Sequence, residues 1–529
     1  MVPFRLTALC LPCLLVPGVV QAEVTADQVW ALMQEAVAES GARVSAGESR
    51  RGDRLVLTRP TIDIGDGALI LLPDITLRET ADRSVIVELP PRFPLTLDLP
   101  PGPNDPDRLT LTVAAPDLAI TVHSLGDKAD ATVTAGSISA SLDPFVLPPG
   151  ARGPADIFVA LAVADLALSW RHDLAGPALA ADGSGSLGTL HAEMRIDIPA
   201  EDIKGSMALD LSSIAVSLTG FAPPGTEAVM DRIDRSEGGL ADFLGLLDNG
   251  LLLDASGTHG PLAFTFDAPR SPDGPVAMDL STTNGGTSLV FDRKGIFYDS
   301  FIGPTRIFFR GRSPDFPLGE FDASLTEYRN AYSLGFPGAA GAAAANGLNA
   351  PKGGDAPVWG AVFKLTGLTL SQELWTLADP GKVMPRDPMS LVIDLAGTYT
   401  LDPKALEPGF KMNPDDPPPF TEASLDLAEL LVSGLGLTMT GSGGLSFDFT
   451  DLVTYPDVPR PEGKMSFVTT GANALIDRFE QLGLMSEDDL TAARFGLLFM
   501  GRIEGGADRL VTEIEFKDRS FVLNGQRIR

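Results

Sequence analysis

Apolar residues recur along this chain with two different periods, and the change between them sets the first expectations. From Ala26 to Ser40, Val29, Leu32, Met33, Ala36 and Val37 follow the i, i+3, i+4 spacing of one helical face. Thr25 with Gln28 supplies a capping box, and Gly41 sits where a helix stops. After that the period is two. Leu55 and Leu57, Leu69 and Leu71, Val85, Val87 and Leu89, then Leu109, Leu111 and Val113 alternate over short runs separated by Pro, Gly and Asp. That pattern predicts consecutive antiparallel strands, roughly 25 in all. Between Met207 and Leu218 the apolar phase slips by one residue, which predicts a β-bulge near Ser212 and Ser213.

Helical spacing returns at few places. Glu227 to Leu247 predicts a helix broken at Gly238-Gly239; Ser371 caps a short helix that reaches Leu377; Ala472 to Leu482 and Glu487 to Met500 predict a helical hairpin. Asn249-Gly250 and Asn524-Gly525 carry the signature of tight hairpin turns, and Leu510 to Phe516 with Ser520 to Leu523 close the chain as strands. The expected fold is therefore mainly β with minor α: an antiparallel curved sheet or split sandwich, elongated, with an N-terminal helix and a C-terminal helical hairpin. With helices this rare, few parallel crossovers can form.

Composition supports that class. Gly and Pro are 55 and 43 of 529 residues, an excess that suits turns and strand ends and opposes a helical protein. The expected divisions are 1–22, a signal peptide; 23–225, β-rich with the leading helix; 226–334, helix plus β; 335–355, a Gly/Ala-rich flexible loop and the favoured internal boundary; and 356–529, β with the helical hairpin. The first segment has one cation, Arg5, an apolar run to Val16, and small residues at Val20 and Ala22, which places cleavage between Ala22 and Glu23. Cys10 and Cys13 both lie inside it. The processed chain then has no cysteine, which removes disulfides, thiolate chemistry and Cys-ligated metals. A soluble periplasmic protein is the expected outcome, because no later run is long and apolar enough to span a bilayer.

Charge narrows the partners. Seventy carboxylates oppose 40 Lys and Arg, a net charge of −30, which becomes −31 once Arg5 is removed. Nucleic acid and anionic polybasic-type membrane docking are disfavoured by that sign. Catalytic and metal motifs are missing as well. His123, His172, His191 and His259 are too far apart in sequence for a metal pair, no nucleophile elbow occurs, and Gly381-Lys382 and Gly463-Lys464 lack the Ser or Thr of a phosphate loop. The acid clusters at 104–107 and 413–416 read as proline-rich turns, not calcium loops. Trp30, Trp170, Trp359 and Trp375 lie in apolar contexts that predict core packing, so a glycosidase-type cleft with stacking aromatics is not indicated. No catalytic residue, cofactor or metal is assigned.

Several segments carry a resemblance. Ala26-Asp27-Gln28-Val29-Trp30, Phe93 to Leu97, Leu365 to Ser371 with Leu374-Trp375, the run Met384-Pro385-Arg386-Asp387-Pro388, and the closing Ile514 to Lys517 with Asn524 to Arg527 resemble an exported alphaproteobacterial family catalogued as domain of unknown function 2125. The ending also looks like envelope proteins of the AsmA type, whose curved sheets carry lipid. The resemblance implies export and a β-rich fold, without an activity. The leading expectation is non-enzymatic binding of an apolar or amphipathic, lipid-like ligand along a sheet surface. The alternative is a structural or assembly protein of the cell envelope that binds protein partners by sheet-edge addition, with a carboxylate-based hydrolase third.

Overall fold

The computed structural model describes residues 24–100, 106–124, 128–145, 156–173, 178–235, 239–272, 274–311, 319–337, 358–407, 410, 419–456, 458–506 and 508–529. It is mainly β and antiparallel, with six α-helices among the described residues. Two compact units form, one from residues 1–220 and 259–277 and one from 221–258 and 278–529.

The first unit begins with helix α1 (Ala26–Glu39), whose capping box is formed as the sequence predicts: Gln28 N–H donates to Thr25 Oγ1, and Thr25 N–H donates to Gln28 Oε1. Strands follow as β1 (Arg43–Arg51), β2 (Arg54–Gly65), β3 (Ala68–Leu71), β4 (Ile75–Glu79), β5 (Val85–Glu88), β6 (Arg92–Asp98), β7 (Arg108–Ala114), β8 (Ala119–Ser124), β9 (Lys128–Leu142), β10 (Asp156–Asp173), β11 (Leu179–Ile198) and β12 (Ile203–Ala222). Their order departs from a simple succession of hairpins. β3 and β4 both pair with one edge of β2, β6 pairs β3, and β5 pairs β4. Likewise β7 and β8 both pair with one edge of β9. Each of these couples is one long strand interrupted midway, by Pro73, by Pro90-Pro91 and by Pro116. Proline removes a ladder donor and breaks the strand without reversing the chain.

These interruptions line up across neighbouring strands. Leu72 N–H donates to Pro60 O at 2.9 Å, and Ala115 N–H donates to Pro91 O at 2.9 Å. In β9 and β10 the same level is held by Gly136 opposite Asp165, which has a left-handed backbone at φ 54°; in β12 it is held by Ser213 at φ 52°. Apolar positions slip by one residue at this level in each long strand: Val163 to Leu166, Ala135 to Ile138, Leu187 to Leu190, Leu211 to Ile214. A slip of one would send the apolar set to the opposite face, and the non-β residue at the slip supplies the local rotation that offsets it.

Antiparallel partners share a face, so register reveals rows. Leu55, Leu77, Val87, Ile120, Val133, Leu168 and Gly185 form one row across β2, β4, β5, β8, β9, β10 and β11. Helix α1 covers only its start, burying Val29 and Trp30 against Leu55, Leu57, Ile75, Leu77 and Val85. Trp30 also anchors its indole N–H on Glu48 at 2.7 Å. Leu77 is fully buried at the centre of this cluster. Replacing Leu77 with Ala is therefore expected to destabilise the first unit by about 2–5 kcal/mol, read as a lower denaturant midpoint at constant slope.

The second unit opens with α2 (Thr226–Asp234) and α3 (Leu240–Asp248), followed by β13 (Leu252–His259); β14 (Leu262–Arg270) belongs to the first unit, where it pairs with β12. Asn249-Gly250 is not a hairpin turn. Asn249 caps α3, Gly250 takes φ 96°, and the bonds Gly250 N to Leu247 O and Leu251 N to Leu246 O form a Schellman end. The Asn-Gly pair suits both uses, and the amphipathic run before it decides for the helix. Strands β15 (Val276–Thr282), β16 (Gly285–Asp292), β17 (Gly295–Ile302), β18 (Thr305–Arg310), β19 (Glu320–Leu325), β20 (Glu327–Gly335) and β21 (Val358–Leu370) come next. Midway breaks recur here, bonded at Thr283 N to Pro304 O and Thr326 N to Thr366 O. β20 and β21 pair directly; most of the Gly/Ala-rich tract between them, 338–355, lies outside the described residues.

Helix α4 (Gln372–Ala378), β22 (Met389–Leu401), β23 (Phe420–Gly434), β24 (Leu437–Asp448), β25 (Arg460–Thr470), the hairpin α5 (Ala472–Gln481) and α6 (Glu487–Met500), β26 (Arg502–Ile503), β27 (Arg509–Lys517), β28 (Ser520–Leu523) and β29 (Gln526–Arg527) complete the chain. Ser486 caps α6 as the sequence predicts; Ser371 precedes α4, but its hydroxyl makes no capping bond. Asn524 and Gly525 both take positive φ and turn β28 into β29, as predicted.

Candidate functional site

The candidate site in the first unit is the uncovered continuation of the row that α1 seals. On β9, β10 and β11, one face carries Val133, Ile138 and Ala140; Val159, Leu161, Val163, Leu168 and Trp170; and Leu190, Ala192, Met194 and Ile196. Its opposite face carries Ser137, Ser139, Thr132 and Thr134, then Ala162, Ser169 and Arg171, then Asp182, Ser184, Thr189, Glu193 and Arg195. The polar residues are mostly exposed and paired with one another, as in Ser169 to Ser184 at 2.6 Å. Most of the apolar residues are half-buried, which places them on the more sheltered side of the sheet, and Leu161, Leu168 and Met194 among them stay exposed, so this face is not a closed core. Only Ala135 and Gly185 are fully buried among the described residues of β9 to β12. Leu168 remains 42% exposed and Val216 on β12 50%.

Gly185 has a packing reason. A Cβ there would lie 2.8 Å from Leu168 Cδ2 and 2.9 Å from Val216 Cγ2, so the glycine lets two exposed apolar side chains lie over the backbone. Trp170 lies over Gly183 in the same way and is half-buried on this face; it is not the closed-core residue that its context predicts. Trp30 and Trp375, by contrast, are buried.

An analogous arrangement occurs in the second unit. Leu289, Tyr298, Tyr332, Ala361, Leu395 and Leu427 form one row, and Phe291, Ile296, Leu334 and Trp359 the next. Helix α3 closes one end, where Phe243 packs on Phe291 at 5.5 Å and on Phe336 at 5.9 Å. Ile296, Leu334 and Tyr332 stay exposed, with Tyr332 stacked on Tyr298. The other face of these strands is the closed one, burying Phe297, Ala331, Val362 and Val392. Arg329 grips Asp299 there through two bonds of 2.9 Å. Burial also pushes the Tyr399 phenol up to about 12, while its O–H donates to Gly335 O at 2.7 Å.

The remaining sequence candidates resolve into structure. Ala22 and Glu23, the expected cleavage point, lie outside the described residues, as do Cys10 and Cys13. Met384, Pro385, Arg386, Asp387 and Pro388 form a connecting loop between α4 and β22, organised by a residue the sequence did not single out. Asp379 is 1% exposed; its Oδ1 accepts from Val383 N–H at 2.9 Å and its Oδ2 from Met384 N–H at 2.8 Å. Arg386 Nη1 lies 2.8 Å from Asp379 Oδ2 as an ion pair, Nη2 donates to Asp379 O at 3.2 Å, and the guanidinium lies 4.4 Å over the Trp375 ring. Asp387 accepts from Gly436 N–H at 3.3 Å, tying the loop to the β23–β24 turn. Burial favours the neutral acid at Asp379, but the two N–H donors and Arg386 outweigh it and hold the carboxyl below its ordinary range. The only available signal was an Asp followed by Pro-Gly at a helix end, which reads as an ordinary turn.

Polar hollows offer less. One is lined by Asp107, Arg108, Asp143 and Phe145, another by Glu422, Ser424, Asp448, Arg460 and Glu462. Their cations are already engaged: Arg108 pairs with Asp98, and Arg460 lies 3.0 Å from Asp448 and 3.4 Å from Asp451. His191 bonds Asp210 at 2.7 Å, His259 bonds Gly260 O and His123 faces Thr132. Among the described residues no group of three His, Cys, Asp or Glu side chains is arranged to hold a metal, and no helix is long and apolar enough to cross a membrane. No protein-family model, curated protein or solved structure matches the chain.

Proposed function

We propose that this chain is an exported protein of the cell envelope that carries an apolar or amphipathic, lipid-like ligand along its open sheet faces, without catalysing a reaction. The observation behind this reading is the unbroken apolar row from Leu55 to Gly185, sealed by α1 at one end and open from Val133 onward. An apolar surface of this extent, backed by an opposite face of Ser, Thr and charged residues, is stabilised by a ligand that removes it from water. Acyl chains suit it because rows of Leu, Val and Ala offer dispersion contacts without a specific hydrogen-bond pattern.

Native mass spectrometry of the protein recovered from the periplasm of a diderm host tests the reading. Co-purified lipid, released on unfolding, is the expected result. Protein that reaches the periplasm free of lipid, and that takes up none from added vesicles, overturns it.

A further inference from the structure

The helical hairpin presents a second apolar surface that belongs to neither sheet face. On α6, Phe495 is 70% exposed and Leu498 69%, and Phe499 and Met500 continue the patch. Phe495 and Phe499 stack on each other one helical turn apart, and 495, 498 and 499 follow the spacing of a single face. Ile503 on β26, just past the end of α6, is exposed as well. Side chains this large and this exposed are held outward by α6 while its buried contact to the protein is Leu490.

Charge identifies the occupant. Residues 494–529 carry seven Arg and Lys against five Asp and Glu, whereas the other 493 residues carry 33 against 65. This segment is net cationic within a strongly acidic chain, as is 43–59, which carries five Arg against two acids. Asn524 Nδ2 donates to Met500 O at 2.8 Å, which brings the β28–β29 turn to the C-terminal end of α6. Arg527 and Arg529 follow that turn, and among the described residues neither pairs with an Asp or Glu side chain; Arg527 Nε donates to Arg529 O at 3.2 Å, and Arg529 donates to Thr454 O at 3.3 Å and lies 5.1 Å over the Tyr455 ring. Exposed Ile528 lies between them, and Val453, beside Thr454, is also exposed. The acids of α6, Glu487, Asp488 and Asp489, stand at the opposite end of the helix, about 20 Å away.

We infer that the C-terminal end of α6, with β26 and β29, docks on an anionic lipid bilayer surface, the Phe and Leu side chains entering the interfacial region and the arginines facing phosphate headgroups. Interfacial helices bind through this combination of buried aromatic area and attraction to anionic lipid. The net charge of the whole chain opposes such docking, so the contact is confined to this surface. This inference does not rest on the sheet faces carrying a ligand.

Flotation with vesicles tests it, using the chain starting at Glu23, which retains every described residue. Vesicles of phosphatidylcholine with about one-third phosphatidylglycerol are expected to carry the protein upward, less so as salt is raised. Phe495→Ser/Leu498→Ser is expected to weaken that binding at least tenfold with an unchanged melting midpoint, since both side chains are exposed. Arg527→Gln/Arg529→Gln is expected to remove the preference for anionic over pure phosphatidylcholine vesicles. Failure of the parent chain to float with either vesicle overturns the inference, as does equal flotation of the serine variant. Concentration-dependent self-association that the serine variant abolishes, without flotation, identifies a protein contact and also overturns it. Flotation retained by Leu168→Asp separates this surface from the sheet face.

Discussion

Leu168→Asp is expected to strip the first unit of its co-purified lipid while leaving the fold in place. Leu168 sits mid-row between Val133 and Gly185, with 42% of its surface open, so its loss forfeits little native packing. A carboxylate there meets a different fate in the two states. In the free protein it is hydrated; beneath an acyl chain it is desolvated without a partner, because the register neighbours Val133 and Gly185 offer no donor side chain. The penalty falls on the complex, and a weakening of at least tenfold, about 1.4 kcal/mol, is expected. The paired control is Ser169→Asp, one residue along the same strand on the opposite face, where Ser184 and solvent accept the charge. Lipid quantified per protein by mass spectrometry separates the two. Equal lipid in both variants refutes carriage on this face, and equal loss in both points to an effect on the strand and not on the site.

That contrast depends on a feature the sequence shows only in part. Alternation of period two marks Val159, Leu161 and Val163 as one face of a strand, but it is the same whether that face is covered by another layer or left open. Openness is decided by what else reaches the face. Here the buried cluster around α1 extends as far as Val122, and Leu161, Leu168 and Met194 beyond it stay exposed. The phase slip at Ser212 and Ser213 is legible locally. Its alignment with Asp165, Gly136 and Pro60 is not, because it depends on register between strands many residues apart. Proline signals are legible as breaks, yet whether a break reverses the chain, as at Asn524-Gly525, or interrupts a strand that continues, as at Pro73, depends on the partner strand. Helices were the most readable elements. Thr25, Ser486 and Gly239 act within a few residues of themselves, where sequence separation and spatial separation coincide.

Asp379 illustrates the converse, a short-range device whose importance appears only on burial. The expected result of Asp379→Asn is a fall in the melting midpoint of roughly 5–10 °C at neutral pH. Asparagine keeps one carbonyl acceptor for the N–H groups of Val383 and Met384, but its amide nitrogen must face the other, and Arg386 is left over Trp375 without a counter-charge. Melting of the second unit, where both residues lie, is the appropriate readout. The pH dependence follows from the direction of the shift. The folded state holds this carboxyl below the value it has in the unfolded chain, so the unfolded state binds the proton more readily and stability rises with pH across the interval. The contribution is fully present above about pH 4, the ordinary carboxylate value, and is lost as pH falls through the lower folded value. The difference in melting midpoint between parent and Asp379→Asn is therefore expected to be constant from neutral pH down to about 5 and to shrink below 4. A difference that persists unchanged at pH 2 would assign the loss to packing around Met384, and the ionised carboxylate would no longer be the group that holds the Met384 to Pro388 loop in place.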